Sequence, residues 1–111
     1  SKIDRKFINE FSAIIENNIS NEDFSVDHIC KKIGISRVQL YRKVKALIGY
    51  NVNDYILMVR MQRAKFLLSN ADNTISEVAF KVGFSSQAYF STVFKSKFGV
   101  TPSEYKTGKS L

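Results

Sequence analysis

The sequence predicts an all-α protein of about seven helices, built as two helix-turn-helix units joined by one long helix. Three observations carry this. Apolar residues recur at three- and four-residue spacing almost throughout, and no stretch shows sustained strand alternation. Helix start and stop signals punctuate the chain: Ser or Thr with Glu or Gln three residues on, then Gly. A helix–Gly–helix pattern also occurs twice, about fifty residues apart.

The elements follow in order. "IDRKFINEFSAIIENNI" places Ile3, Phe7, Phe11, Ile14 and Ile15 on one stripe. This acidic, amphipathic segment either packs on the first unit or leads to an upstream domain. After "SNEDF", Ser25 opens "VDHICKKI", with Ile29 and Ile33 inward and Gly34 at its end. Ser36 and Gln39 form a capping box that opens the next helix, which Gly49 ends. "VNDYILMVRMQRAKFLLSN" reads as one long helix with Tyr55, Ile56, Val59, Leu67 and Leu68 among its apolar positions. Thr74 with Glu77 opens "ISEVAFKV", and Gly83 stops it. "SQAYFSTVFKSKF" follows from Ser86 and ends at Gly99. Thr101, Pro102 and Glu104 mark a last short helix: cap, first-turn Pro and capping-box acid. The expected divisions are 1–50 for the first unit with its N-terminal helix, 51–70 for the joining helix and 71–111 for the second unit.

The two units align residue by residue. Val26, Ile29, Cys30, Ile33, Gly34 and Ile35 match Ile75, Val78, Ala79, Val82, Gly83 and Phe84. Beyond the turn the offset grows by one, so Ser36, Leu40, Val44, Lys45, Ile48, Gly49 and Tyr55 match Ser86, Phe90, Phe94, Lys95, Phe98, Gly99 and Tyr105. The extra residue lies in Ser85–Ser86. Gly at the end of each first helix permits the positive φ that a sharp turn requires. Ile35 and Phe84 then tuck each turn into its core.

Charge narrows the partner. The 111 residues carry a formal net charge of +7. Residues 1–27 hold six acids and three bases, whereas residues 28–111 hold fourteen bases and four acids. No acid lies between Lys31 and Asn53, or between Val78 and Ser103. Such zones fit a nucleic acid, an anionic membrane or a merely basic surface. No apolar run is long enough to cross a membrane and no signal peptide is visible, so a soluble cytoplasmic domain is expected. One Cys excludes an intramolecular disulfide. One His and one Cys make no metal cluster and no nucleophile with an oriented base, and no Gly-rich phosphate loop is present. The reading is therefore non-enzymatic, with no cofactor and no metal.

The second helix of each unit has two faces. In the first, Leu40, Val44, Leu47 and Ile48 form the core stripe; Val38, Tyr41, Arg42 and Lys45 share another face, with Arg37 at the N-terminal end. In the second, Phe90, Val93, Phe94 and Phe98 point inward; Gln87, Ala88, Ser91, Thr92 and Lys95 point outward. An α-helix fits the DNA major groove and its N-terminal residues reach base edges. Arg bonds guanine bidentately, Gln bonds adenine, and Ala, Val or a Thr methyl packs on thymine. Expected base contacts are Val38, Tyr41, Arg42, Gln87, Ala88, Ser91 and Thr92. Expected phosphate contacts are Ser36, Arg37, Lys43, Lys45, Ser86 and Lys95. Tyr41 could equally cover a neighbouring helix, and Arg60 and Arg63 on the joining helix fit either an internal ion pair, for instance with Glu77, or DNA. The nine Phe are read as mostly core, Cys30 as a small buried core residue and His28 as a surface residue.

"ISEVAFKVGFSSQAYFSTVFKSKFGVTPSEY", with "RMQRAKFLL" in the joining helix, resembles the DNA-binding domain of AraC/XylS-type transcription regulators over roughly residues 20–107. "SRVQLYRKVKALIG" and the helix before it are similar to the C-terminal end of hybrid two-component regulators. The resemblance implies sequence-specific binding of double-stranded DNA, with the helices opened by Ser36 and Ser86 entering successive major grooves. It also implies an activator acting with RNA polymerase, dimerisation of the full-length protein and an upstream sensor, receiver or ligand-binding domain. Two departures stand out. Val52 holds the place where the family often has Pro opening the joining helix, and the second reading face carries no Arg. Two other readings are a sequence-neutral nucleic-acid coating protein and a helical module that docks an acidic protein.

Overall fold

The computed structural model describes residues 1–108. Seven helices occupy these residues: α1 Lys2–Asn17, α2 Val26–Ile33, α3 Arg37–Ile48, α4 Val52–Leu68, α5 Ile75–Lys81, α6 Gln87–Phe98 and α7 Pro102–Lys106. No strand occurs among them. Residues 109–111, the end of the expected second unit, lie outside the described residues. The chain divides into two compact units. One comprises Ser1–Ile19 and Asp23–Val59; the other comprises Ser20–Glu22 and the chain from Arg60 onward. α4 thus runs unbroken through the sequence boundary between them, its first half packed with the first unit.

The start signals work through measurable bonds. Ser36 Oγ accepts from the Gln39 N–H at 3.1 Å, and Gln39 Oε1 accepts from the Ser36 N–H at 2.9 Å. Thr74 with Glu77 and Thr101 with Glu104 repeat this reciprocal bonding. It satisfies two backbone donors that a helix start otherwise leaves without a partner. His28 fills the same place after Ser25, its Nδ1 accepting from the Ser25 N–H at 3.2 Å. Without Pro at its start, α4 is opened by Asn51, whose Oδ1 accepts from the Asn53 N–H at 2.9 Å. Gly34 and Gly49 end α2 and α3 at φ 85°.

The first unit is built on Phe7, Phe11, Ile15, Phe24, Val26, Ile29, Leu40, Val44 and Val52, all buried. α1 therefore packs on the first helix-turn-helix. Phe11 meets Tyr55 with ring centroids 5.4 Å apart. Full burial of a Leu or Val side chain contributes about 1.5–3 kcal/mol, so Leu40 and Val44 are the main anchors of the inner face of α3, with Leu47 and Ile48 partly buried beside them. Two expectations need correcting here. Ile3 is 75% exposed, because the stripe of α1 packs only from Phe7 onward. Cys30 is half-buried at the edge of this core.

In the second unit, Met61, Ala64, Leu68, Val78, Ala79, Val82, Phe84, Phe90 and Phe94 are buried. Their rings form a chain: Phe84–Phe90 at 5.5 Å, Phe90–Phe94 at 5.8 Å and Phe94–Phe98 at 4.7 Å. Tyr105 of α7 closes it against Phe94 at 5.7 Å. Arg60 is buried within this unit and donates to the carbonyl oxygens of Val82, at 2.8 Å, and Asn21, at 3.3 Å. Burial pushes its guanidinium pKa down. The Glu77 carboxylate meanwhile accepts from the Thr74 backbone at 3.0 Å. Lys106 donates to the carbonyls of Ala71, at 3.1 Å, and Asn73, fastening the loop before α5. Most of the Phe are core as expected; the exceptions are Phe66 and Phe80, which are 69% and 72% exposed. Each lies about 200° around its helix from a buried residue, Ala64 and Val78, at 100° per residue.

Candidate nucleic-acid interface

The outer face of α3 stands on a fixed mount. Leu40 and Val44 are fully buried on the opposite side. Val38 is 59% exposed, Tyr41 40% exposed, and Arg42 and Lys45 are also exposed. Tyr41 and Lys45 line a cleft of about 380 Å³ with Asn51, Val52 and Asn53 at the start of α4. Tyr41 therefore keeps an accessible face rather than being covered. Lys45 Nζ donates to the Gly49 carbonyl at 3.2 Å, which places its charge at the C-terminal end of α3.

The other expected contacts of this helix divide. Ser36 lies at the exposed N-terminal end, its side chain engaged in the cap. Arg37 Nε donates to Asp27 Oδ1 at 2.8 Å. That hydrogen bond holds the Asp27 carboxyl below its ordinary range and the Arg37 guanidinium above its own, so both stay charged. Lys43 sits about 140° around the helix from Val38. Its Nζ lies 4.9 Å from the centroid of the Phe7 ring on α1, a cation–π contact.

α6 presents the corresponding face in the second unit. Ser86 Oγ accepts from the Tyr89 N–H at 3.1 Å and starts the helix. Gln87, Ala88, Thr92 and Lys95 are exposed, and Ser91 is half-buried. Thr92 Oγ1 donates back to the Ala88 carbonyl at 3.1 Å. Sequence reasoning passed over Tyr89, which is 62% exposed with its ring 5.6 Å from Phe84. Its alignment with Gln39 in the first unit was the available signal. Asp27, Asn51 and Asn53 were also passed over. Their neighbours of the basic helix come from other elements, and helical spacing within α3 cannot reveal them.

Comparison with known proteins settles the kind of domain. A family model described as a helix-turn-helix domain matches residues 29–108. The crystal structure of a Chromobacterium violaceum transcriptional regulator, one of the AraC-type DNA-binding domain-containing proteins, is 31% identical with a TM-score of 0.86. The alignment covers 100% of this chain and 98% of that one. The chain belongs to the AraC-type DNA-binding domains. Among curated relatives, the Msm operon regulatory protein of Streptococcus mutans is 34% identical over 92% of this chain. Histidine kinase P4 of Formosa agariphila is 38% identical over 96% of it. The chain spans 36% of the length of the former and 8% of the latter. As an AraC-type domain, it has its family's two helix-turn-helix pairs in α2–α3 and α5–α6. No helix among the described residues is long and apolar enough to cross a membrane.

Proposed function

We propose that this AraC-type domain is the DNA-reading output module of a larger bacterial transcription activator. α3 and α6 enter successive major grooves of double-stranded DNA. The observation that carries this is the outer face of α3. It presents Val38, Tyr41 and Arg42 in its N-terminal half, on a capped helix anchored from the opposite side by the fully buried Leu40 and Val44. That is the geometry by which a helix delivers side chains to base edges. Arg42 reads a guanine, Val38 packs on a thymine methyl, and Tyr41 packs on a base or sugar beside it. Gln87, Ala88, Ser91 and Thr92 form the second reading face, which lacks Arg and contributes less to sequence choice. Ser36, Ser86, Lys45 and Lys95 serve the phosphates. Lys43, placed over Phe7, serves them from the flank of α3.

The match to a histidine kinase over nearly the whole of this chain supports an upstream sensor and receiver. On this reading the full-length protein acts in the cytoplasm, dimerises and engages RNA polymerase. The test is a binding titration against the site selected from a random duplex pool and against unselected duplex. Strong preference for the selected site supports the proposal. Equal affinity at physiological salt supports a coating protein instead. No binding at low salt supports a module for an acidic protein partner.

A further inference from the structure

Arg37 is the first residue of α3, at the N-terminal end of the helix that carries Val38 and Arg42. Its charge and position suit a phosphate contact, but its geometry argues otherwise. Asp27, in the first turn of α2, accepts from the Arg37 Nε–H at 2.8 Å. The two side chains are 55% and 58% exposed, so the pair sits in solvent and contributes little to stability. Its consequence is directional. The bond to Asp27 uses Nε–H and leaves the two terminal amino groups, the pair of donors that matches guanine O6 and N7. The same fork also fits a phosphate, but a cation anchors a phosphate chiefly by its net charge, and here Asp27 offsets it. A near-neutral pair releases few counterions from DNA and is a poor phosphate anchor. The N-terminal end of a reading helix is also where base edges are met.

We infer that Arg37 is a second guanine-reading arginine on α3 and that Asp27 is its positioning residue. This rests on α3 entering the major groove. A selected duplex is varied through all four base pairs at each position, and binding is compared for the native chain, Arg37→Lys, Asp27→Asn and the double variant. Lysine keeps the charge and removes the fork. Arg37→Lys should cost about tenfold in guanine preference at one position, distinct from the one Arg42 reads, with affinity for unselected duplex unchanged. Asp27→Asn should lower the same preference, and the double variant should lose no more than Arg37→Lys alone. Equal urea midpoints for the variants separate positioning from folding, and Arg37→Lys decides the case if Asp27→Asn is destabilised. The inference is overturned if Arg37→Lys keeps the guanine preference. It is equally overturned if Asp27→Asn tightens binding to every duplex with preference intact, the result expected from simple removal of a negative charge. A selected site with no Arg37-dependent position removes this inference alone, whereas no selected site removes the reading of α3 with it.

Discussion

Arg42 and Lys45 lie on one face of α3 and carry the same charge, yet their proposed roles differ. Arg42→Ala should weaken binding to the selected site by about 1–3 kcal/mol and relax choice at one base pair. An equal loss on selected and unselected duplex in titrations would assign Arg42 to the backbone. Lys45→Ala should weaken both duplexes alike and reduce the slope of log affinity against log salt by about one. At this scale the sequence was legible where helical spacing decides the environment. Leu40 and Val44 are buried, and Val38, Tyr41 and Arg42 are exposed together. It was not legible where residue type stood in for position. Phe66 and Phe80 are phenylalanines on the solvent side of their helices. Spacing from Ala64 and Val78 would have placed them there. The Arg37–Asp27 pair joins residues ten apart on two helices, and no single-helix pattern predicts it.

At the scale of elements, the boundaries were the most readable part, because caps are short-range chemistry. Ser36 with Gln39, Thr74 with Glu77 and Thr101 with Glu104 all bond as their spacing implies. The cap of α2 by His28 was missed because an imidazole nitrogen replaces the usual Glu or Gln acceptor. Gly34 is required by the turn rather than by space. Its φ is +85° and a Cβ there would meet nothing within 4 Å. Gly34→Ala should therefore cost about 1–2 kcal/mol of backbone strain. It should lower the urea midpoint of unfolding with the m-value unchanged. The cap of α5 adds a pH dependence. Hydrogen bonds from Thr74 hold the Glu77 carboxyl below its ordinary range, with help from Lys81 and Lys106. A depressed folded-state pKa means stability that is fully present above the unfolded-state value and lost as pH falls through the folded one. Glu77→Gln should therefore flatten the acid side of the stability–pH curve in urea titrations, with little change at neutral pH where the amide oxygen still accepts.

For the whole chain, charge and repetition carried the functional reading. Fourteen bases against four acids over residues 28–111 suit a polyanion. The twofold occurrence of helix, Gly and helix marks two helix-turn-helix units, which α2–α3 and α5–α6 form. Less visible was the division within α4, where Val59 packs with the first unit and Arg60 with the second. An uninterrupted helical pattern carries no mark of a boundary between two cores. On the proposed function, both units read bases. The most direct measurement is selection of duplexes from a random pool by this chain and by its Arg42→Ala variant. Two preferred blocks centred roughly 10–10.5 base pairs apart are expected, one of which loses a specified base pair in the variant. A single block, or two blocks that the variant leaves unchanged, would contradict it.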